Sequence, residues 1–374
     1  MEIRRVKKSE LNQAVALANA VFCGDSQRDM GTFFPTLFQA GISHSYGAFD
    51  GEGRLVSFMG LVPLVIVSGS ARLISFSVGA VCTEPQFRGL GLAGELLKQC
   101  REHARRVGAS LLFISGDRSL YTRAGSLAFG QADKYQIELQ AAQSLAGSSI
   151  KLNNRDMSAE DIFALHELLS QKNGSIEWSI QELQQFVGSA PFAGVSGLQQ
   201  HIKIAESPEG DIAAAAVFAI PASLSDGHQR SGQMLEWAGE PEAVMNLIAD
   251  AFSGYSLDVL TAILPWQDTA VSGLLQAAGI QPEARSNAGT VLIADAAALV
   301  RQAGLDGGKP DKPVISFFTD ERFELRTAEG RIFPIDGTAE LCSLLFDPQS
   351  PVRQKEVNGL TAFPLPYMYG LYFI

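Results

Sequence analysis

The spacing of apolar residues over roughly the first 140 positions predicts a mixed α/β domain. Three runs rich in β-branched and aromatic residues are separated by the polar turn clusters DGEGR and SGSAR, a pattern typical of an antiparallel meander. Apolar residues at helical spacing and the fully apolar run LLFI then predict a helix and a buried parallel strand. The predicted order is strand and helix, three strands, helix, strand and helix, over residues 6–22, 44–49, 55–67, 73–82, 92–107, 111–114 and around Tyr121.

A similar order of strands and helices recurs after residue 150 and predicts a second, diverged copy of the domain. The stretch AAQSLAGSS at 141–149 lacks periodicity and marks a first boundary, and the Gly- and Pro-rich stretch GLDGGKPDKP at 304–313 marks a second. Beyond it, two short strands, a helix and the aromatic tail FPLPYMYGLYFI predict a small α+β segment. We therefore predict three segments, at 1–145, 150–300 and 310–374.

Composition and charge argue against several classes of function. The chain has 374 residues, 46% of them hydrophobic and 18% charged, and no apolar run approaches the roughly 18 residues that cross a bilayer. The N-terminus lacks the apolar core of a secretory signal, so a cytoplasmic protein without a membrane span is expected. A net charge of −11 argues against nucleic-acid binding and favours a cationic or amine-bearing substrate. Four separated cysteines and five scattered histidines predict neither disulfides nor a metal.

The clearest chemistry lies between the last strand of the meander and the helix after it, in the sequence SVGAVCTEPQFRGLGLAGELLKQC. A strand that ends at Thr83 is followed by a tight loop and a helix. Gly89 and Gly91 lack Cβ atoms, so the loop backbone can approach a bulky anion and direct N–H groups at it, while the helix N-terminus adds its positive dipole. Arg88 and Gln86 can donate further hydrogen bonds to the anion. An ordinary strand-to-helix turn is the alternative interpretation.

This segment resembles motif A of the GNAT N-acetyltransferases, through T-x-P-x-x-R-G-x-G-L-A and the Q-x-x-G-x-G pattern within it. The resemblance implies that the loop binds the CoA pyrophosphate and that the strand end offers main-chain groups to the pantetheine arm and the acetyl carbonyl. It assigns the binding of acetyl-CoA, as co-substrate, to Val81, Cys82, Thr83, Gln86, Phe87, Arg88, Gly89, Leu90, Gly91, Leu92 and Ala93. A covalent acyl-enzyme on Cys82 is the alternative to direct transfer, but a buried structural cysteine is the favoured interpretation.

A second block, LLFISGDRSLYTRAGS, resembles motif B of the same family, in which a tyrosine precedes a glycine by four residues. Tyr121 and Gly125 match these positions. The resemblance implies that Tyr121 protonates the departing CoA thiolate, and a half-buried structural tyrosine is the alternative. Glu84 is a further candidate, as a base acting through water, although a solvated loop carboxylate is favoured.

The layout of the whole chain is similar to that of the enhanced intracellular survival (Eis) type of acetyltransferase. The S-x-x-x-x-L-Y-T-R-A-G run resembles the S-E-x-x-I-Y-x-R-F-G block of that type, with one residue inserted. The resemblance implies an α/β (α+β) chain of tandem GNAT acyltransferase folds, with mixed central sheets flanked by helices, and a small C-terminal segment resembling a sterol carrier protein domain. It also implies that the terminal carboxylate of Ile374 enters the first domain's site as general base.

Together these features predict an N-acetyltransferase that transfers the acetyl group of acetyl-CoA to an amine by direct attack, with Tyr121 as general acid. The acceptor is a small-molecule or peptide amine, and aminoglycosides, polyamines and lysines all remain open. Relatives often form symmetric assemblies, so a homo-oligomer is considered as well. The alternative from another class is a non-catalytic module that senses acyl-CoA or binds partners.

Overall fold

The strands and helices of the chain are taken from a computed structural model, which describes residues 1–24, 26, 28–41, 43–145, 151–222, 229–307, 313–319, 322–353 and 360–374. The strands are β1 Glu2–Arg5, β2 Tyr46–Phe49, β3 Leu55–Ser68, β4 Ala71–Thr83, β5 Leu111–Ile114, β6 Gln131–Glu138, β7 Asn153–Asp156, β8 Ser175–Ile176, β9 Gln199–Glu206, β10 Ile212–Ile220, β11 Ser231–Gly239, β12 Val259–Pro265, β13 Glu283–Ser286, β14 Thr290–Ile293, β15 Val314–Thr319, β16 Arg322–Arg326 and β17 Ile332–Asp336. The helices are α1 Leu11–Phe22, α2 Met30–Phe33, α3 Pro35–Phe38, α4 Leu92–Arg106, α5 Ser119–Arg123, α6 Leu139–Leu145, α7 Ile162–Ser170, α8 Ile180–Ser189, α9 Pro191–Ser196, α10 Pro241–Tyr255, α11 Thr269–Ala277, α12 Ala296–Gln302 and α13 Gly337–Phe346.

These elements form two compact units. The first comprises Met1–Gly130, Asn287–Pro366 and Ile374, and the second comprises Gln131–Ser286 and Tyr367–Phe373. The segments predicted from the sequence divide the chain at other positions because strand pairing assigns two strands differently. β6 pairs with β12 in the sheet of the second unit, and β14 pairs with β5 in the sheet of the first. Periodicity identifies a strand but not its partner, so the sequence alone does not reveal these assignments.

The sheet of the first unit has the order β1-β2-β3-β4-β5-β14. β4 and β5 run parallel, and the other neighbours are antiparallel. The helix α4 joins the parallel pair and buries one apolar stripe, formed by Leu92, Leu96, Leu97 and Cys100, against the sheet. All four residues of β5 are buried, as its continuous apolar sequence predicts.

The sheet of the second unit has the order β13-β6-β12-β11-β10-β9-β7. β11 and β12 are parallel and are joined by α10, so the unit repeats the strand, helix and parallel strand of the first. β10 is mostly buried, and the small side chains of its sequence IAAAAVFAI let α10 pack closely against it. The predicted fold class, mixed sheets flanked by helices, is therefore confirmed.

The residues from β15 to α13 belong to the first unit. β15, β16 and β17 form an antiparallel three-stranded sheet, of which the sequence predicted the first two strands and the helix α13. The likeness of this segment to a sterol carrier protein stays a prediction. Among the helices that the structure describes, none is both long enough and apolar enough to span a bilayer.

Candidate active site

The parallel strands β4 and β5 separate partway along their length. Ser75–Val78 of β4 pair with Leu111–Ile114 of β5, and β5 ends there. β4 continues to Thr83, so residues 79–83 have no strand beside them on this edge within the described chain. The divergence leaves a V-shaped gap, which we call the β4–β5 opening. The C-terminal edge of parallel strands is where α/β proteins most often bind ligands.

A β-bulge lies in β4 at this opening. Phe58 pairs with Cys82 and Gly60 pairs with Gly79, so Ala80 and Val81 both lie opposite one residue of β3. Ala80 has a φ of +48°, a left-handed conformation that costs a non-glycine residue about 1–2 kcal/mol. Bulges and strained residues of this kind are frequent next to active sites, where they redirect backbone groups. The bulge was not predicted from the sequence, although an isolated glycine in a strand pattern is its usual signal.

The glycine loop, residues 84–91, follows β4 directly. Pro85–Phe87 form a single 3₁₀ turn, and Gly89 and Gly91 have φ values of +80° and +76°. In the described chain, the N–H groups of Gly89, Leu90 and Gly91 donate to no backbone or side-chain acceptor. A Cβ atom placed on either glycine would meet nothing within 4 Å. The loop thus holds open donors at the N-terminus of α4, as the sequence predicted for an anion site.

The side chains of the glycine loop divide into anchored and exposed ones. Phe87 packs against a cluster that includes Val56 and Leu92, which fixes the loop to the core. The Arg88 Nε–H donates to the Thr83 carbonyl oxygen at 3.1 Å, while the rest of this side chain is exposed. Leu90, an apolar residue between the two glycines, is also 63% exposed. Fixed on one side, the loop presents its other side to solvent.

Glu84, a candidate base, is held in an ion pair. Its carboxylate accepts two hydrogen bonds from the Arg54 guanidinium, at 2.8 and 2.9 Å, and one from the Gln86 side-chain amide at 2.8 Å. The Arg54 guanidinium also donates to Asp50 at 3.1 Å. This arrangement directs the Gln86 amide at a protein carboxylate, and it favours the interpretation of Glu84 as a loop carboxylate without a proton-transfer role.

Cys82 and Thr83, at the end of β4, differ in the direction of their backbone groups. The Glu84 N–H donates to the carbonyl oxygen of Val56 in β3 at 2.9 Å. Because the direction of backbone groups alternates along a strand, the N–H and carbonyl of Thr83 face the β4–β5 opening.

Burial raises the pKa of the Cys82 thiol to about 12, so this sulfur is protonated at neutral pH and is a poor nucleophile. Together with Cys23, Cys100 and Cys342 it is a buried, unpaired cysteine.

Tyr121 lies on the short helix α5 with its ring in the core of the first unit. It belongs to the apolar cluster that contains Val78 and Ile114, the last paired residues of β4 and β5, with Val81 packed beside it. Gly116 lies beside the ring, and a Cβ there would lie 3.4 Å from a ring carbon, an ordinary van der Waals contact. In the described chain, the Tyr121 hydroxyl has no hydrogen-bond partner. Burial raises the pKa of Tyr121 above its usual 10, against a smaller opposing effect of Arg118.

The carboxyl group of Ile374 lies on the backbone of β4 at Gly79. A Cβ atom placed on Gly79 would overlap the Ile374 carboxyl carbon and would lie 2.6 Å from a carboxyl oxygen. Gly60, paired with Gly79 on β3, also lacks a side chain, and a Cβ there would lie 2.7 Å from the Gly79 carbonyl oxygen. Gly79 therefore leaves space for this group beside the bulge at Ala80, and Gly60 leaves space for the backbone of Gly79. The structure brings Ile374 to the strand whose end carries the glycine loop.

The corresponding junction in the second unit has no glycine loop. β11 leads through Glu240 alone into α10, whose first residue is Pro241. The Glu240 N–H donates to the Ala213 carbonyl oxygen at 2.9 Å, and a Cβ on Gly239 would overlap the same oxygen. Because the Glu240 N–H is paired and proline has none, no open loop donors like those of Gly89, Leu90 and Gly91 precede α10 in the described chain.

Comparison with known proteins gives a family match to the first part of the chain. The family model described as an acetyltransferase (GNAT) domain matches residues 2–129, which confirms the predicted family for this part of the chain. A search of curated proteins gave no match to the sequence.

Solved structures are similar to the chain over nearly its whole length. A probable N-acyltransferase of Enterococcus faecalis is 12% identical with a TM-score of 0.69, covering 98% of this chain and 99% of its own. A GCN5-related N-acetyltransferase of Kribbella flavida is 17% identical with a TM-score of 0.66, covering 98% and 100%. Eis1 of Mycobacterium abscessus is 15% identical with a TM-score of 0.64, covering 97% and 99%. At such identities the likeness establishes a shared fold.

Proposed function

We propose that this acyltransferase transfers the acetyl group of acetyl-CoA to an amine, because the model of a GNAT acetyltransferase domain matches residues 2–129. The observation that carries the proposal is the glycine loop, whose N–H groups at Gly89, Leu90 and Gly91 have no acceptor in the described chain and lie where α4 begins. Such groups bind anions at helix N-termini. Members of this family use acetyl-CoA, whose diphosphate is the expected anion.

The proposed binding mode places the diphosphate on the glycine loop, with the exposed part of the Arg88 guanidinium adding a charge-assisted contact. The pantetheine arm follows β4 toward the β4–β5 opening, where main-chain groups at the strand end face it. The proposed contacts comprise the strand residues Val81, Cys82 and Thr83, the loop residues Gln86, Phe87, Arg88, Gly89, Leu90 and Gly91, and the helix residues Leu92 and Ala93.

The proposed reaction is direct attack on the thioester. The acceptor nitrogen forms a bond to the acetyl carbonyl carbon, the carbon–sulfur bond breaks, and sulfur leaves with the electron pair as thiolate. The carboxylate of Ile374 takes the proton that the amine loses, and the Tyr121 hydroxyl gives its proton to the thiolate. Main-chain N–H groups near Val81 stabilise the developing oxyanion.

Two observations support these assignments of acid and base. The Tyr121 hydroxyl has no partner in the described chain although its ring is buried, and burial keeps it protonated by raising its pKa. The Ile374 carboxyl group lies beside the bulge that interrupts β4. A module that only senses acyl-CoA needs neither group, so both observations favour the enzyme over that alternative.

The acceptor class follows from charge alone. A net charge of −11 favours an amine-bearing cation, and polyamines, aminoglycosides and peptide amines all satisfy that condition. Incubating the protein with acetyl-CoA and a library of these amines, and measuring release of free CoA thiol, would identify the acceptor.

Replacing Gly91 with alanine should weaken acetyl-CoA binding by about tenfold, or about 1.4 kcal/mol. Its φ of +76° is unfavourable for alanine, and the new methyl group would project into the open space in front of the loop donors. Isothermal titration calorimetry with acetyl-CoA measures the change directly.

The matched control is Gly210→Ala in the second unit, because Gly210 has a φ of +94° and equally open surroundings. Both variants should lose a similar amount of thermal stability, but Gly210→Ala should bind acetyl-CoA as the parent protein does. Equal affinity in all three proteins, or no binding by the parent protein, would contradict the proposed anion site.

A further inference from the structure

A groove lies at one edge of the sheet of the second unit, and all the residues that line it belong to that unit. It is lined by residues 156–159 and Ile162 after β7, by the C-terminal half of α8, and by residues 200–202 of β9. Its volume of about 530 Å³ is within the range of ligand pockets. We call it the β9 groove.

The β9 groove contains a stretch of β9 that has no strand beside it. β7 pairs with residues 203–206 of β9, so residues 199–202 have no strand partner on that side within the described chain. The Met157 N–H donates to the Ile202 carbonyl oxygen at 2.9 Å, so the backbone groups of Ile202 point to this edge. Because the direction of backbone groups alternates along a strand, the N–H and carbonyl of Gln200 face the same edge. They meet no backbone partner there among the described residues.

The edge is left open because the chain turns away after β7. The Ser158 N–H and hydroxyl donate to the Asp161 carboxylate at 2.6 and 3.0 Å, which begins a 3₁₀ turn that leads into α7. Exposed edges usually carry a lysine, a proline or a bulge that prevents another strand from pairing with them. Residues 199–202, with the sequence QQHI, have neither lysine nor proline and pair with β10 in a regular register. This edge can therefore accept a further strand.

The two faces of the sheet differ in polarity beside this edge. On one face, the Ile202 side chain packs against the apolar cluster that contains Ala193 and Leu235. On the other face, the His201 ring contacts the Tyr255 ring, with centroids 4.5 Å apart. Successive side chains of an extended peptide point to opposite faces, so a strand added here would alternate between apolar and polar surroundings.

The polar face carries more negative than positive charge. The Lys203 ammonium lies 3.3 Å from an Asp156 carboxylate oxygen and 3.4 Å from an Asp250 carboxylate oxygen, so one cation is shared by two anions. The Asp156 side chain is 78% exposed. Burial lowers the pKa of His201, so this imidazole is neutral at pH 7 and adds no positive charge. A ligand side chain beside Asp156 should therefore be cationic.

We propose that the β9 groove binds an extended segment of a partner protein, which pairs with the edge of β9 as an added strand and places a lysine or arginine beside Asp156. Main-chain hydrogen bonds to Gln200 and Ile202 provide affinity in this binding mode, and the alternating side chains provide specificity. The inference does not depend on acetyl transfer, because the proposed reaction involves none of these residues.

Fluorescence anisotropy with the full-length protein and the peptide fluorescein-Lys-Val-Lys-Val-Lys-amide tests the proposal. Binding should be saturable, with a Kd below about 1 mM. The same peptide with a methyl group on each internal peptide nitrogen should bind at least about tenfold more weakly, because it cannot donate main-chain hydrogen bonds. A peptide with glutamate in place of lysine should also bind more weakly, by about threefold or more.

Gln200→Pro removes the backbone N–H that faces the groove, and proline is tolerated on the open side of an edge strand. It should weaken peptide binding by about tenfold or more. The matched control is Gln200→Ala, which loses the side-chain hydrogen bond to the Val187 carbonyl oxygen at 3.0 Å but keeps the backbone N–H. Its affinity should stay within about threefold of the parent value. Thermal unfolding establishes that both variants are folded, and the N-methylated peptide tests the same hydrogen bonds if Gln200→Pro is not.

Asp156→Asn keeps the shape of the side chain and removes its charge. It should weaken binding of the lysine peptide by up to about fivefold and make the Kd less dependent on salt, since the contact is an exposed ion pair. The matched control is Glu209→Gln, an exposed carboxylate of the same unit outside the groove, which should leave the Kd unchanged.

Several results would overturn the proposal. These are a lack of saturable binding up to about 1 mM, equal affinity for the N-methylated peptide, or parent affinity in both Gln200→Pro and Asp156→Asn. If sedimentation velocity shows a dimer that Gln200→Pro dissociates and the peptide does not, the edge pairs with a second copy of this chain, and the proposed partner is wrong. Release of CoA thiol measures acetyl transfer separately, so each proposal can fail without the other.

Discussion

Replacing Tyr121 with phenylalanine should lower kcat for acetyl transfer by about a hundredfold or more, because a positioned general acid contributes roughly 10²–10⁴ to the rate. The change removes one hydroxyl that has no partner in the described chain, so the apolar packing around the ring should survive. The Kd of acetyl-CoA should stay within about threefold of the parent value, since the diphosphate contacts lie on the glycine loop. Steady-state kinetics and calorimetry on the same preparation measure both quantities.

The pH dependence of the parent enzyme follows from the raised pKa of Tyr121. The protonated phenol is the active form. Activity therefore falls only when the pH rises through the pKa of Tyr121, which burial raises above 10. No alkaline decline from Tyr121 is therefore expected between pH 6 and about pH 9.

Tyr135→Phe is the matched control for this substitution. Tyr135 is fully buried in the second unit, and its hydroxyl bonds to Ser272 at 2.6 Å, so the variant should lose about 1 kcal/mol of stability and no activity. Turnover by Tyr121→Phe that equals the parent's would eliminate Tyr121 as the acid and would leave the sulfur to be protonated by water.

Replacing Gly79 with alanine should lower kcat by on the order of a hundredfold. The new methyl group would occupy the space of the Ile374 carboxyl group, and moving a reacting group by about 1 Å can lower the rate by about that factor. The φ of Gly79 is not in the left-handed region, so alanine is otherwise compatible with the strand. Stopped-time assays of CoA release would measure the change, and thermal unfolding would confirm that the variant is folded.

Gly273→Ala, on the helix α11, adds the same methyl group where nothing lies within 4 Å. It should retain full activity and gain up to about 1 kcal/mol of stability. Wild-type kcat in Gly79→Ala would show that the position of the Ile374 carboxyl group has no bearing on turnover.

The sequence predicted the strand, the glycine loop and the helix after it because the relevant signals are local. A strand ending at Thr83, a loop with two glycines and a helical repeat from Leu92 all lie within a short stretch, and each depends only on backbone conformation and nearest neighbours. The boundaries of β5 matched for the same reason.

The features that the sequence did not reveal depend on contacts between distant residues. The bulge at Ala80 requires the register of β3 against β4, and the partners of β6 and β14 lie more than a hundred residues away along the chain. The ion pair of Lys172 and Glu236 joins residues of the second unit that lie 64 positions apart in the sequence. No periodicity or local motif specifies such pairings, so they emerge only when the chain is folded.

The burial of the four cysteines has a practical consequence for biochemistry on this protein. All four cysteines are buried, and burial raises the pKa of Cys82 and Cys342 to about 12, so an aromatic disulfide reagent should react only slowly with the folded chain. Colour that develops in the native mixture therefore comes from free CoA. In a control without amine, a slow rise in absorbance would report unfolding of the protein. The same assay therefore measures both turnover and the fraction of protein that stays folded.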